Sequence, residues 1–353
     1  MRVVEATEKI RSGTDLTRAE ARAMMEHLLS GEIPDPDIIA FLVALRDKGE
    51  QPEELVGFAE VMRACASEGL RKAGVDLDRV TYSDSLLDTC GTGGDGQGTF
   101  NVSTAAALVA AAAGVRVAKH GNRSVSSRCG SADVLEALGV AIDLPLESIP
   151  ACLEEVGMVF LFAPRLHLAM KHVMNARRSL KTKTVFNLLG PLTNPLRATV
   201  QLVGVYEAQR TEMMAEALQA VGTRRAFVVA ASDGMDEITT TGPTRLSESD
   251  ARQAAGVRTR EVLPEEFGLP RASLEALRGG DPATNARLLE RVFSGERNPY
   301  RDLVLANSAA ALCLAGKAQD FAAGVARSAE LIDSGAARRT LAALVEFTQQ
   351  SRK

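Results

Sequence analysis

The stretch Leu86-Leu87-Asp88-Thr89-Cys90-Gly91-Thr92-Gly93-Gly94-Asp95-Gly96 decides the fold class. A short apolar strand runs directly into a glycine-rich loop. Asn101-Val102-Ser103-Thr104 then opens a nearly pure alanine helix from Ala105 to Ala113, and Val115-Arg116-Val117-Ala118 reads as the next strand. Beyond it, Ser131-Ala132-Asp133 opens a helix that closes at Gly139. Val159-Phe160-Leu161-Phe162, Leu202-Val203-Gly204-Val205 and Ala226-Phe227-Val228-Val229 are further buried strands. Strands alternating with helices predict an α/β sheet covered by helices on both faces.

Towards the N-terminus the period is helical for about 75 residues. Thr17-Arg18-Ala19-Glu20 is a capping box, in which hydroxyl and carboxylate reciprocally satisfy free backbone amides. A second helix opens at Pro34, Pro36 and Asp37 and ends at Gly49; a third opens at Pro52-Glu53-Glu54. Helices this close together form a small bundle, and Gly69 to Ser85 reads as a linker. From about Asn285 the chain reads as helices rich in Ala and Leu. The expected fold is thus a small N-terminal α-helical bundle (1–75) and a large α/β domain (76–353) with a mostly parallel central sheet.

Composition sets limits. Apolar residues make up 46 % of 353, enough for a large core, and charged residues 24 %, which argues against disorder. A formal net charge of −4 lacks the basic excess usual for nucleic-acid binding. The five cysteines (Cys65, Cys90, Cys129, Cys152, Cys313) are scattered without a CxxC pair, as expected of reduced thiols in a cytoplasmic protein. No signal-peptide core and no membrane-length apolar run is visible, so a cytoplasmic location without membrane contact is expected.

Gly91, Gly93 and Gly96 match G-x-G-x-x-G, but a nicotinamide site needs an acid at the end of its second strand. Lys119-His120 stands there instead and suits an anion; the P-loop Gly-Lys-Ser/Thr ending is also missing. A tight strand-to-helix turn would explain the glycines alone. It would not explain why two successive strands carry phosphate-binding chemistry to one sheet edge. Bare amides and a helix N-terminus follow the first strand, and Lys119-His120-Gly121-Asn122-Arg123-Ser124-Val125-Ser126-Ser127 follows the second.

These blocks resemble the anthranilate phosphoribosyltransferase family. So do Gly130-Ser131-Ala132-Asp133-Val134-Leu135-Glu136, the run Phe186-Asn187-Leu188-Leu189-Gly190-Pro191-Leu192-Thr193-Asn194-Pro195, and Asp236-Glu237 ahead of Thr239-Thr240. The likeness covers nearly the whole chain, in order. It implies a helical domain, to which a segment at about 167–190 returns, and a homodimer built through that domain. It implies Mg2+-dependent transfer of the phosphoribosyl group of phosphoribosyl diphosphate (PRPP) to anthranilate, in tryptophan biosynthesis. Gly91, Gly94, Asp95, Thr99, Asn101, Val102, Ser103, Thr104, Lys119, His120, Gly121, Asn122, Arg123, Ser124, Val125, Ser126, Ser127 and Ser131 would surround PRPP. Ser103, Asp236 and Glu237 would hold magnesium; taken alone, Asp236-Glu237 would read as a solvated loop pair. Gly91, Asn122 and Arg177 would receive anthranilate, with Gly91 making room. No residue is expected to act as acid or base, since an arylamine is already unprotonated at neutral pH; His120 belongs to the pocket.

One segment departs from the family pattern. After Arg177-Arg178 the usual Glu-Leu-Gly and Arg-Thr pair are replaced by Ser179-Leu180-Lys181-Thr182-Lys183-Thr184. Leu168 and Asn175 stand where prolines are usual. The segment also gathers Arg165, Lys171, Arg177, Arg178, Lys181 and Lys183, so a transferase-like paralogue that binds nucleic acid is one alternative. A pyrimidine nucleoside phosphorylase of the same fold is the other.

Overall fold

The computed structural model describes residues 1–81, 85–124, 128–253 and 256–352. Its sheet has seven strands: β1 (Leu86–Asp88), β2 (Arg116–Gly121), β3 (Met158–Phe162), β4 (Val200–Gly204), β5 (Arg225–Ala231), β6 (Thr244–Asp250) and β7 (Arg258–Val262), in the order β3-β2-β1-β4-β5-β6-β7. The first five are parallel; β6 and β7 add an antiparallel edge. The last two strands are polar (Thr-Arg-Leu-Ser-Glu-Ser-Asp and Arg-Thr-Arg-Glu-Val), so the sequence reading missed them.

The chain moves outward from β1 through β2 to β3, then returns to the other side of β1 as β4. That reversal leaves a crevice at the carboxyl ends of β1 and β4, where open α/β sheets bind ligands. The sheet separates two cores. Leu202, Phe227 and Val229 face one, together with the helices Val102–Ala112 and Pro299–Leu314. Val203, Ala226 and Val228 face the other, with Thr211–Ala220. Alternate side chains of a strand point to opposite faces, so strands buried on both sides are apolar throughout.

Four helices form the N-terminal bundle: Val3–Arg11, Arg18–Ser30, Asp35–Lys48 and Pro52–Lys72. The Thr17 box forms: the hydroxyl accepts from Glu20 N (3.3 Å) and the Glu20 carboxylate accepts from Thr17 N (2.8 Å). The linker read from Gly69 is shorter than expected. The long helix runs on to Lys72 because Leu70 still finds the core, and Leu77–Thr81 forms another short helix. Helices Met174–Leu180 and Val185–Leu192 pack on Asp35–Lys48 and Pro52–Lys72, and the apolar core of the bundle continues through them to one face of the sheet.

Candidate active site

A cleft of about 330 Å3 opens at the crevice between β1 and β4. Thr92 N donates to Gly204 O (2.8 Å), which joins the glycine loop after β1 to the end of β4. The turn after β5 brings in Asp236 and Glu237. Asp236 Oδ2 accepts from Gly93 N (2.8 Å), and Glu237 Oε1 accepts from Ser103 N (3.2 Å) in the first turn of the alanine helix. The anion at this helix N-terminus is therefore a protein carboxylate. Asn101 does not cap that helix with its side chain; it bridges Cys129 O and the amide of Asn285 instead.

Both acids line the cleft and are half-buried. Burial and the charge of Asp95 push Asp236 well above the ordinary carboxylate range, and burial with the charge of Asp236 does the same to Glu237. Burial also raises Asp95. These acids call for a cation. Lys119, 2 % exposed, reaches up from β2, but its ammonium is already bonded to Thr89 O (3.0 Å), Thr89 Oγ1 (3.1 Å) and Ser103 Oγ (3.2 Å). Among the described residues no three carboxylates, imidazoles or thiols converge into a protein-only cage. Two adjacent acids and one hydroxyl fit a hard cation that keeps water and shares phosphate oxygens.

Close approach explains two glycines. A Cβ on Gly204 would lie 1.5 Å from Asp236 O, and one on Gly91 would lie 2.9 Å from Asp236 Oδ2 and 3.2 Å from Gly204 O. Gly91 lines the cleft, and the room it makes is taken first by the Asp236 carboxylate.

Side chains alternate along β2, so Lys119 and His120 point to opposite faces. His120 Nδ1 faces Gly190 O (3.2 Å) and its Nε2 faces His167 Nε2 (3.2 Å). A carbonyl only accepts, so Nδ1 carries the proton, Nε2 accepts, and His167 donates. Burial lowers both imidazoles, His120 to about 4 and His167 to about 3, so both are neutral. Asp88 beneath them accepts from His120 N and Asn194 Nδ2, and burial raises it to about 6.

Arg177 also lines the cleft, and its guanidinium lies 4.9 Å from the Phe186 ring centroid. Burial lowers its pKa, and among the described residues no carboxylate pairs with it. Arg123 differs: it is paired with Asp133 (2.9 Å) and Glu136 (2.8 Å). Three of the basic residues of the departing segment are engaged elsewhere, while Lys171, Arg178 and Lys181 are exposed. Arg177 enters the cleft, Arg165 donates to Asp143 O, and Lys183 stacks 3.4 Å from the Tyr206 ring centroid. Lys181 adopts φ 48°, where the resemblance leads one to expect glycine, and Leu168 is 69 % exposed where proline is usual.

The cleft gathers Gly91, Gly94, Asp95, Thr99, Asn101, Ser103, Lys119, His120, Gly121, Asn122, Arg123, Ser124, Ser131, Arg177, Asp236 and Glu237. Val102 and Thr104 do not reach it; both are buried in the core, because four successive helical residues cannot share one face. Val125, Ser126 and Ser127 lie outside the described residues. Phe186, Asn187, Gly190 and Ala163 also line the cleft and carried no assigned role in the sequence reading. The conspicuous run Phe186–Pro195 was the available signal for three of them.

Residues 83–338 match the glycosyl transferase family a/b domain, and residues 4–66 match its helical bundle domain. The chain is 50 % identical to the anthranilate phosphoribosyltransferase of Moorella thermoacetica over 97 % of both chains, and 51 % identical to that of Solibacter usitatus over 94 % of both. A crystal structure of the Thermus thermophilus enzyme is 42 % identical and superposes with a TM-score of 0.86, covering 98 % of this chain and 99 % of that one. The Saccharomyces cerevisiae enzyme in complex with PRPP and Mg is 28 % identical with a TM-score of 0.85, over 99 % and 98 %. Sequence, fold and the cleft at the β1–β4 crevice agree: the chain belongs to the anthranilate phosphoribosyltransferase family.

Proposed function

We propose that the protein transfers the 5-phosphoribosyl group of PRPP to the amine of anthranilate, giving N-(5-phosphoribosyl)anthranilate and diphosphate, the transfer that serves tryptophan biosynthesis. The observation that carries this reading is one cleft lined by two unlike sets of groups. One set is the glycine loop with the Asp236–Glu237 turn; the other is Arg177, a half-buried cation without a carboxylate partner among the described residues.

In this reading the PRPP residues named from the sequence that line the cleft, all but Val102, Thr104 and the undescribed 125–127, bind PRPP beside the glycine loop. Ser103, Asp236 and Glu237 hold the divalent cation, which when bound offsets the charge of the departing diphosphate. Arg177 and Asn122 receive the anthranilate carboxylate, for which a guanidinium is well suited. The nitrogen–C1 bond forms as the C1–oxygen bond to diphosphate breaks, and the cationic nitrogen then gives up its proton to solvent. His120 is not the base, since its one bare nitrogen already accepts from His167. Catalysis is positioning and electrostatic stabilisation.

The division into a bundle (1–75, with the return at about 167–190) and an α/β domain (76–353) is part of the proposal. The packing of Met174–Leu180 and Val185–Leu192 on the bundle supports it. A homodimer through the bundle and a cytoplasmic location complete it; no helix among the described residues is long and apolar enough to cross a membrane. The likeness to curated anthranilate phosphoribosyltransferases over nearly the whole chain favours this reading over a nucleic-acid-binding paralogue or a nucleoside phosphorylase. The test is depletion of anthranilate fluorescence with PRPP and Mg2+. Depletion that stops without metal, and in Asp236→Ala, is expected; no depletion at any metal concentration refutes the reading.

A further inference from the structure

We propose that Asn307 is a positioning residue for the acidic pair, acting through the backbone of Ile238. The inference rests on the reading that Asp236 and Glu237 hold the divalent cation.

Asn307 sits in the middle of the helix Pro299–Leu314 and is fully buried. Its Oδ1 accepts from Ile238 N (3.0 Å), and its Nδ2 donates to Ile238 O (2.8 Å) and to Leu303 O (2.9 Å) one turn back in its own helix. The first two bonds pair the amide with Ile238 as a neighbouring strand would; the third fixes the amide's orientation. Asparagine is a poor helix-interior residue, and a buried amide persists only when its polar atoms are bonded. Here those bonds go to the residue that immediately follows Glu237.

The rest of the turn is shaped from within. The Asp233 carboxylate accepts from Thr239 Oγ1 (2.7 Å), Thr241 Oγ1 (2.6 Å) and Met235 N (3.0 Å). Asp233 thus folds the turn on itself, whereas Asn307 ties it to the scaffold. Slack is small on the other side too, because Asp236 O presses on the Cα of Gly204. A turn released from Asn307 would shift both carboxylates relative to Gly93 N and Ser103 N, their partners on the opposite loops. Residues that orient metal ligands typically cost about 10- to 100-fold in metal affinity when removed.

A merely structural amide would also cost stability, so the decisive readout is metal affinity. Mn2+ serves as the probe, with and without PRPP, followed by water-proton relaxation enhancement, which rises when the ion joins the slowly tumbling protein. Asn307→Leu keeps the branched outline of the side chain, though not its volume, and removes the bonds. It is expected to weaken Mn2+ binding about tenfold. The metal concentration for half-maximal activity should rise in step, while the KM for anthranilate stays put. Ser308→Ala, one residue along the helix at a buried hydroxyl without a hydrogen-bond partner, is expected to keep wild-type affinity. If Asn307→Leu is folded by circular dichroism and binds Mn2+ within about twofold of wild type, the proposal is overturned whatever happens to Tm. Equal weakening in Ser308→Ala overturns it as well, by placing the effect in general helix packing. Should Asn307→Leu not fold, Asn307→Ser is measured against the same bound. Asp236→Ala separates the two ideas: Mn2+ binding unchanged there defeats the metal reading itself. Binding lost there but kept in Asn307→Leu defeats only the positioning role.

Discussion

Replacing Gly91 by alanine should damage the chemistry far more than the fold. The backbone at Gly91 lies outside the left-handed region, so alanine meets no conformational penalty there. Its methyl would lie 2.9 Å from Asp236 Oδ2, about 0.5 Å inside the 3.4 Å at which ordinary contact begins, and 3.2 Å from the carbonyl oxygen of Gly204. Strand β4 cannot yield easily, because Gly204 O also accepts from Thr92 N. The carboxylate must therefore swing away, lengthening its 2.8 Å bond from Gly93 N. Overpacking costs about 1–3 kcal/mol. Expressed at the reacting centre, that is roughly a 10- to 100-fold loss in kcat/KM, at about 1.4 kcal/mol per tenfold. The assay is anthranilate fluorescence depletion, alongside a Tm measurement. Gly93→Ala is the comparison: Gly93 has φ 62° with open space around it, so alanine there costs about 1–2 kcal/mol of backbone strain without touching the carboxylate. Near-wild-type kcat/KM in Gly91→Ala would refute the claim that this glycine exists to seat Asp236.

Three further outcomes follow from the same geometry. Arg177→Gln should raise the KM for anthranilate about 10- to 100-fold, the worth of a charge-assisted hydrogen bond, and leave the KM for PRPP nearly unchanged; equal rises in both would count against the assignment. Lys181→Gly should stabilise the protein by about 0.5–1 kcal/mol in urea unfolding, because φ 48° strains lysine and glycine gives back part of the gain as backbone entropy. The His120–His167 pair should make stability fall in mild acid. Above pH 6.5, the ordinary imidazole value, both rings are neutral whether folded or not. Below it the unfolded chain takes up protons that the enclosed pair refuses, until His120 titrates near 4. That is on the order of 3 kcal/mol lost per ring between those limits, and roughly twice that for the pair. His167→Leu should flatten this slope in urea unfolding series from pH 7 to pH 4.5, and an unchanged slope would contradict the neutral pair.

The chain alone determined the features that depend on neighbours in sequence. Apolar Leu86-Leu87 running into glycines marks a strand and its loop, Thr17 with Glu20 marks a helix start, and a lysine closing β2 marks an anion-friendly sheet edge. Local propensity and hydrophobic period are one-dimensional signals, so they survive without coordinates. Three things came only from the tertiary structure. Strands β6 and β7 are too polar to signal themselves and exist because β5 offers them an edge. Val102 and Thr104 turn to the core because the helix is seated by its packing against Pro299–Leu314. Asp236 sits beneath Gly91, and Asn307 beneath Ile238, because the β1–β4 crevice and one long helix bring together segments from 69 to more than 140 residues apart. Such contacts depend on strand order and packing, which no local pattern encodes.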